Sequence, residues 1–218
     1  MKSPLDRDAI SGAGVVGSRI AVFQETESTN DVAAHAAAGG EPEGFVAFTE
    51  TQTRGRGQFG RRWESRAGLG LWFSILLRPQ WPTGKLTEMT PLVAVAVARA
   101  VADLTGRVVR IKPPNDIFCG GRKLAGILSE AKTGVSMHVV VGIGLNVNHT
   151  VADFPPELRQ TATSMRIETD QTWTREEVAT AVLRSIGTLY DPASPPGEEV
   201  ARAYAELSHG PVCDNLCG

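Results

Sequence analysis

Two apolar runs constrain this chain more than any other feature. Gly70-Leu-Trp-Phe-Ser-Ile-Leu-Leu77 is almost continuously apolar and ends before Pro79 and Pro82. A half-exposed strand would alternate apolar and polar residues, so this run reads as a strand buried on both faces. Val139-Val-Val-Gly-Ile-Gly-Leu-Asn-Val-Asn148 has the same character, with Gly142 and Gly144 removing side chains where another group must come close. Shorter strand patterns cover residues 20–23 and 44–50. Helical patterns cover 31–38, 88–105, 175–190 and 197–207, the second with an apolar stripe from Met89 to Leu104. Thr174 and Glu177 have the spacing of a capping box. The expected fold is mixed α/β (α+β), with a largely antiparallel sheet carrying a ligand on one face and the helices packed behind it.

Composition narrows the function. The chain has 218 residues, 42% hydrophobic and 21% charged, with a formal net charge of -2. No global basic field exists to attract nucleic acid. The longest apolar run of the helical patterns, Leu92 to Ala98, is too short to cross a bilayer, and the first residues carry Asp6 and Asp8 rather than a signal peptide. A soluble, cytoplasmic protein is expected. Three cysteines make an odd count without a disulfide framework, and Cys213, Cys217 and His209 lack a fourth ligand, so no protein-held metal is expected.

Against that background, Thr51-Gln-Thr-Arg-Gly-Arg-Gly-Gln-Phe-Gly-Arg-Arg-Trp63 stands out. Five arginines fall between Arg54 and Arg66, interrupted by Gly55, Gly57 and Gly60. Glycine lets backbone N–H groups approach a ligand, and an arginine fork grips a carboxylate or phosphate with two hydrogen bonds. It is not a Walker loop, and no helix follows Gly60 as a dinucleotide fingerprint requires. Taken alone, the loop reads as well as a solvated basic hairpin or a nucleic-acid patch as it does as an anion-binding loop.

Other stretches add polar groups at element ends. Ser28, Thr29 and Asn30 precede an alanine-rich helix, where they serve as caps or as hydrogen-bond partners of a ligand. A strand ends at Lys112, stiffened by Pro113-Pro114 and followed by Asn115 and Asp116. The Gly120-Gly121 pair predicts a hairpin turn, from which Lys123 returns. Asn146 and Asn148 are expected to point the same way by the strand's period of two.

Taken together these stretches resemble the catalytic domain of biotin protein ligase. The matching elements are Ser28-Thr-Asn30, Gln52 with Gly55-Arg-Gly57, Gly60-Arg61 followed by Trp63, Lys112 with Pro114-Asn-Asp116, Arg122-Lys-Leu-Ala-Gly-Ile-Leu128, Gly142-Ile-Gly-Leu-Asn-Val147 and Ala162-Thr-Ser164. They occur in the family's order from about residue 20 to 207. The resemblance implies the class II synthetase-like biotin/lipoate ligase fold over residues 19–207, after an arm at 1–18 and before a tail at 208–218 that would correspond to a remnant of a small β-barrel domain. It implies activation of biotin by ATP as biotinyl-5'-AMP, with Mg2+ accompanying the triphosphate, and transfer to a lysine of a biotin carboxyl carrier protein. By resemblance, Ser28, Thr29, Asn30, Gln52, Gly55, Arg56, Gly57, Gln58, Lys112 and Gly126 would hold biotin. Arg56, Arg61, Trp63, Asn115, Lys123 and Asn146 would hold ATP, with Lys112 and Arg56 catalytic. A homodimer is open, and the lack of a helix-turn-helix before residue 19 implies no DNA binding.

The sequence also departs from the family pattern. Gln58-Phe59 follows Gly57 where arginine or lysine is usual, and Pro113 replaces a tryptophan. The first change implies weaker retention of the acyl-adenylate. Rival readings are a lipoate or octanoate ligase of the same superfamily and a non-catalytic nucleic-acid module built on the arginine loop. Cys119, on a hairpin, is poorly placed to be the nucleophile of an octanoyl transferase.

Overall fold

The computed structural model describes residues 4–134 and 136–209. Most of the expected tail, including Cys213 and Cys217, lies outside the described residues. The elements follow the chain as β1 (Arg19–Thr26), α1 (Thr29–Ala38), β2 (Phe45–Gln52), β3 (Gly70–Leu77), α2 (Met89–Thr105), β4 (Val109–Lys112), β5 (Asp116–Cys119), β6 (Arg122–Lys132), β7 (His138–Asn146), α3 (Met165–Thr169), α4 (Arg175–Leu189) and α5 (Glu198–Ser208). One seven-stranded sheet runs in the order β1-β2-β3-β7-β6-β5-β4. Among the named strands of the described residues only β1 and β2 pair in parallel. The mixed, largely antiparallel sheet is therefore the one expected.

The two apolar runs occupy the centre. β3 is buried at every position and pairs with β7 over its whole length, Gly70 opposite Asn146 and Leu77 opposite Val139. Alternate residues serve different faces. Leu71, Phe73, Ile75 and Leu77 join Val139, Val141, Ile143 and Leu145 in the main core, under α2 and α4. Leu76 and Val140 face the other way, into a smaller cluster with Phe45, Ala47, Ala33 and Ala37. Helix α1 thus lies on the opposite face from α2, α4 and α5, so the expectation of all helices behind the sheet holds for three of the four long ones. Its small alanines let it sit close to the strands, and that places its N-terminus on the face away from the main core.

Local signals behave as their chemistry requires. Gly120 and Gly121 both have positive φ, 57° and 76°, as a two-residue hairpin turn demands. Gly106, at φ 65°, ends α2. The capping box at Thr174 is not formed; the start of α4 is fixed instead by Arg175, whose side chain runs inward to Glu50. Residues 4–18, expected as a loose arm or short helix, include a short 3-10 turn at Arg7–Ala9 and bury Leu5, Ile10 and Val16 in the main core. No helix among the described residues is long and apolar enough to cross a membrane.

Burial by itself would raise the pKa of Glu50. Hydrogen bonds from Arg175 and from the Leu5 N–H nevertheless hold its carboxyl below the ordinary 4.5. A carboxylate with a depressed folded-state pKa stabilises above its unfolded value and loses that contribution as pH falls. Urea-unfolding stability should therefore decline as pH drops below about 4.5 in the wild type, and less steeply in Glu50→Gln. Phe73, fully buried and stacked on Phe48 at 4.8 Å, should cost about 3–5 kcal/mol when replaced by alanine, measured in the same assay.

Candidate active site

The sheet face that carries α1 owes its shape to missing side chains. Gly126 on β6 and Gly142 and Gly144 on β7 lie on neighbouring positions of this face, with Gly126 opposite Gly144 and Leu128 opposite Gly142. Other groups fill the space. A Cβ at Gly142 would lie 2.2 Å from Asn30 Oδ1, and one at Gly144 would lie 2.4 Å from the Trp63 indole. The floor is therefore a bare strip of backbone on which Asn30 and Trp63 rest.

Above it opens a cavity of about 1040 Å³. Its walls include Ser28, Thr29, Asn30, Gln52, Arg56, Gly57, Gln58, Arg61, Trp63, Lys112, Asn115, Lys123, Gly126 and Asn146, so nearly all the residues singled out in the sequence converge on one space. Gly55 is not among its walls. It packs instead against the Trp63 carbonyl, where a Cβ would come within 2.5 Å. Asn148 is also turned away from Asn146: it lies beyond the end of β7 and exchanges hydrogen bonds with the Trp173 backbone.

The N-terminus of α1 supplies a polar corner. Ser28 occupies the cap position but makes no side-chain cap bond. The Thr29 N–H donates to Gln52 Oε1 at 2.9 Å, and Ser74 Oγ lies 2.7 Å from Thr29 Oγ1 and 2.6 Å from Asn30 Oδ1. Thr29, Asn30 and Ser74 are buried and Gln52 is half-buried, and these bonds fix their rotamers. A buried polar corner with this mixture of donors and acceptors suits a polar ring.

The glycine-arginine loop is a hairpin with rungs. Ser65 Oγ accepts the Gln52 N–H at 2.7 Å, Trp63 N–H reaches Gly55 O at 2.9 Å, and Gly57 N–H reaches Arg61 O at 2.7 Å. It projects Arg56 over α1, where the guanidinium forks onto Asp31 with two 2.8 Å bonds and touches Glu130 at 3.3 Å. The bonds to Asp31 raise its already high pKa, so Arg56 is permanently charged. Glu130 also accepts from Asn30 at 2.5 Å. Asp31 was hidden in the sequence as an ordinary first-turn acid. Glu130 was findable, since Gly126, Leu128 and Glu130 share one face by the period of two.

The two lysines differ in setting. Lys112 is exposed at the rim, its Nζ 5.6 Å from the Phe118 ring centroid. Lys123 is partly buried, with Nζ 2.7 Å from Asp116 and 5.3 Å from the centroid of the Trp63 ring. Its backbone is held from both sides, by Thr161 O and the Thr163 N–H at 2.8 Å each. Asn115 and Asn146 spend their amide N–H groups on Ile127 O and Thr163 O.

At the other end, residues outside the sequence motifs line the cavity. His149 stacks on Phe154 at 4.8 Å and meets the edge of Trp72, which in turn meets Trp63 at 6.3 Å. Arg66 reaches Asp153, and Arg159 also borders the space. Among the described residues, seven cationic side chains line the cavity against three acidic ones, a balance that suits a polyanion carrying a flat ring.

An α/β domain with a glycine floor, a polar helix corner and a cationic hairpin over one cavity has the construction of a small-molecule-binding domain. Residues 22–146 match the biotin/lipoate A/B protein ligase family, and the chain belongs to that family. It is 40% identical over 153 residues to the bifunctional ligase/repressor BirA of Bacillus subtilis, covering 69% of this chain and 47% of that protein. It is 33% identical over 198 residues to the biotin--[acetyl-CoA-carboxylase] ligase of Mycobacterium tuberculosis, covering 85% of this chain and 71% of that one. The chain thus spans about half the length of the BirA relative. The biotin protein ligase of Aquifex aeolicus, solved with biotin and ATP, superposes with a TM-score of 0.68 at 29% identity, over 87% of this chain and 73% of that one.

The packing of Trp63 on the bare strip is testable. Gly144→Ala should displace the indole, changing tryptophan emission and near-UV circular dichroism while the far-UV spectrum stays. In a Trp63→Phe background the same substitution should leave emission unaltered.

Proposed function

We propose that this chain is the catalytic domain of an ATP-dependent ligase that activates biotin as biotinyl-5'-AMP and passes it to a lysine of a biotin carboxyl carrier protein. The observation that carries the reading is the convergence of Arg56, Lys112 and Lys123 on the cavity that also holds the Thr29–Asn30–Gln52 corner. In the first step a biotin carboxylate oxygen forms a bond to the α-phosphorus of ATP, the bond to the bridging oxygen breaks, and pyrophosphate leaves. In the second, the acceptor amine attacks the acyl carbon and AMP departs. Neither step needs a protein nucleophile, so the site's work is in-line positioning and neutralisation of charge.

Ser28, Thr29, Asn30 and Gln52 would hold the polar ring of biotin, with Gly126, Gly142 and Gly144 beneath it. Arg56 and the Gly57 backbone would meet the carboxylate and α-phosphate, with Gln58 beside them. The role on the reacting oxygens passes from Lys112 to Lys123. Lys123 is the less exposed of the two, anchored through its backbone and standing over Trp63, whereas Lys112 at the rim suits the departing phosphates. Trp63, Asn146 and the His149–Phe154 stack would face the nucleotide, with Arg61 and Asn115 nearby.

Magnesium would arrive with the triphosphate. Such a cation is held largely by phosphate oxygens and water. When bound it would offset phosphate charge.

Three measurements test this reading. ATP–pyrophosphate exchange should depend on biotin and fall at least a hundredfold in Lys123→Ala, with a smaller loss in Lys112→Ala; exchange indifferent to biotin would remove the assignment. Titration calorimetry should give heat with biotin and none with lipoate. Gln58→Arg should slow escape of biotinyl-AMP, measured by trapping released adenylate, and equal release rates would refute a role for this position.

A further inference from the structure

The reacting groups leave one buried ionic cluster unused. The Glu50 carboxylate, on β2 two residues before Gln52, is 4% exposed. Its Oε1 accepts the Leu5 N–H at 2.7 Å and Arg175 Nη2 at 2.9 Å, and its Oε2 accepts the Gly68 N–H at 2.9 Å and Arg175 Nη1 at 2.8 Å. Arg175, 5% exposed, also lies 3.4 Å from Gly70 O. Four segments therefore meet on one side chain: the first residues, the end of β2, the entry to β3 and the start of α4.

The positions of two of these segments matter. Glu50 and Gly68 stand on the two stems of the hairpin that carries Arg56, Gly57 and Trp63, and the Glu50–Gly68 bond is its lowest rung, below Gln52–Ser65 and Gly55–Trp63. Only a side chain with two full acceptor oxygens can take a backbone N–H from one stem, a backbone N–H from the arm and a guanidinium fork together. An amide would turn its own N–H₂ toward one of these donors. A buried charge so placed is satisfied as a set and left exposed to a large penalty when one member goes.

We infer that Glu50, held by Arg175, is a positioning residue for the ligand-binding hairpin, and that the Leu5 backbone makes the N-terminal arm a working part of that support. The kinetic readout rests on the ligase reading given above, while the structural readouts do not.

The arginines from Arg54 to Arg66 make the hairpin a natural trypsin substrate. Limited trypsinolysis of wild type, Glu50→Gln and Arg175→Lys, at a temperature where circular dichroism shows each folded, should give cleavage within residues 54–66 at least tenfold faster in both variants, with cleavage elsewhere unchanged. The KM for biotin should rise at least tenfold with a smaller change in kcat. Leu5→Pro, which removes the N–H donor, should speed hairpin cleavage more than Leu5→Ala, which keeps it. Hairpin cleavage at the wild-type rate in a folded Glu50 variant would overturn the inference, and equal effects of the two Leu5 variants would overturn the part given to the arm. Hydrogen exchange in the wild type decides the matter if the variants do not fold. The Leu5 and Gly68 amides should exchange as slowly as those of β3, and rates near those of open amides would overturn it. A protected hairpin in a protein without biotin-dependent exchange would remove the ligase reading and leave the support of the hairpin standing.

Discussion

A pleated sheet ordinarily presents a side chain at every second residue of each face, and the site exists because that rule is suspended here. With Gly126, Gly142 and Gly144 bare, the backbone of β6 and β7 becomes a surface that other groups can lie against. The Asn30 amide and the Trp63 indole come down onto it, and the helix and hairpin that carry them follow. A methyl group at any of the three would lift one of these elements off the sheet. The opposite face of the same strands is packed with Val139, Val141, Ile143 and Leu145 against the helices, so the floor rests on a stiff support.

Rigid and adjustable parts are divided accordingly. Strand-borne groups such as Ser74 and Gly126, and the backbone of Lys123, are tied into the sheet or its neighbouring segment. The cations of the hairpin reach the cavity from a loop whose rungs are few. The Trp63 indole nitrogen is enclosed and makes no hydrogen bond among the described residues. A buried donor without an acceptor costs free energy that an incoming group able to accept would recover.

Much of this was legible because the relevant residues sit where chain geometry leaves little choice. A lysine ending β4, a glycine-arginine segment leaving β2 and a polar triplet opening α1 belong to strand and helix ends, and those ends gather at one side of the sheet. The side taken by α1 was not legible. An alanine-rich helix has no pronounced apolar stripe, so nothing in its pattern says which face of the sheet it will cover. His149 and Phe154 escaped notice for a related reason: they lie in irregular chain after β7, where no period predicts direction. Lys123 is legible as a residue of the hairpin, but the anchoring of its backbone by residues 161–163 is a contact between segments that no local pattern encodes.

Arg56 already holds an acid. Its fork is occupied by Asp31, with Glu130 alongside, so a carboxylate or phosphate entering the cavity does not meet a naked cation but trades places with a resident anion. At Arg56 itself, charge alone then gives a newcomer little, since one acid replaces another. What decides the exchange is whether the rest of the molecule fits the floor and the polar corner, which turns an electrostatic attraction into a test of shape.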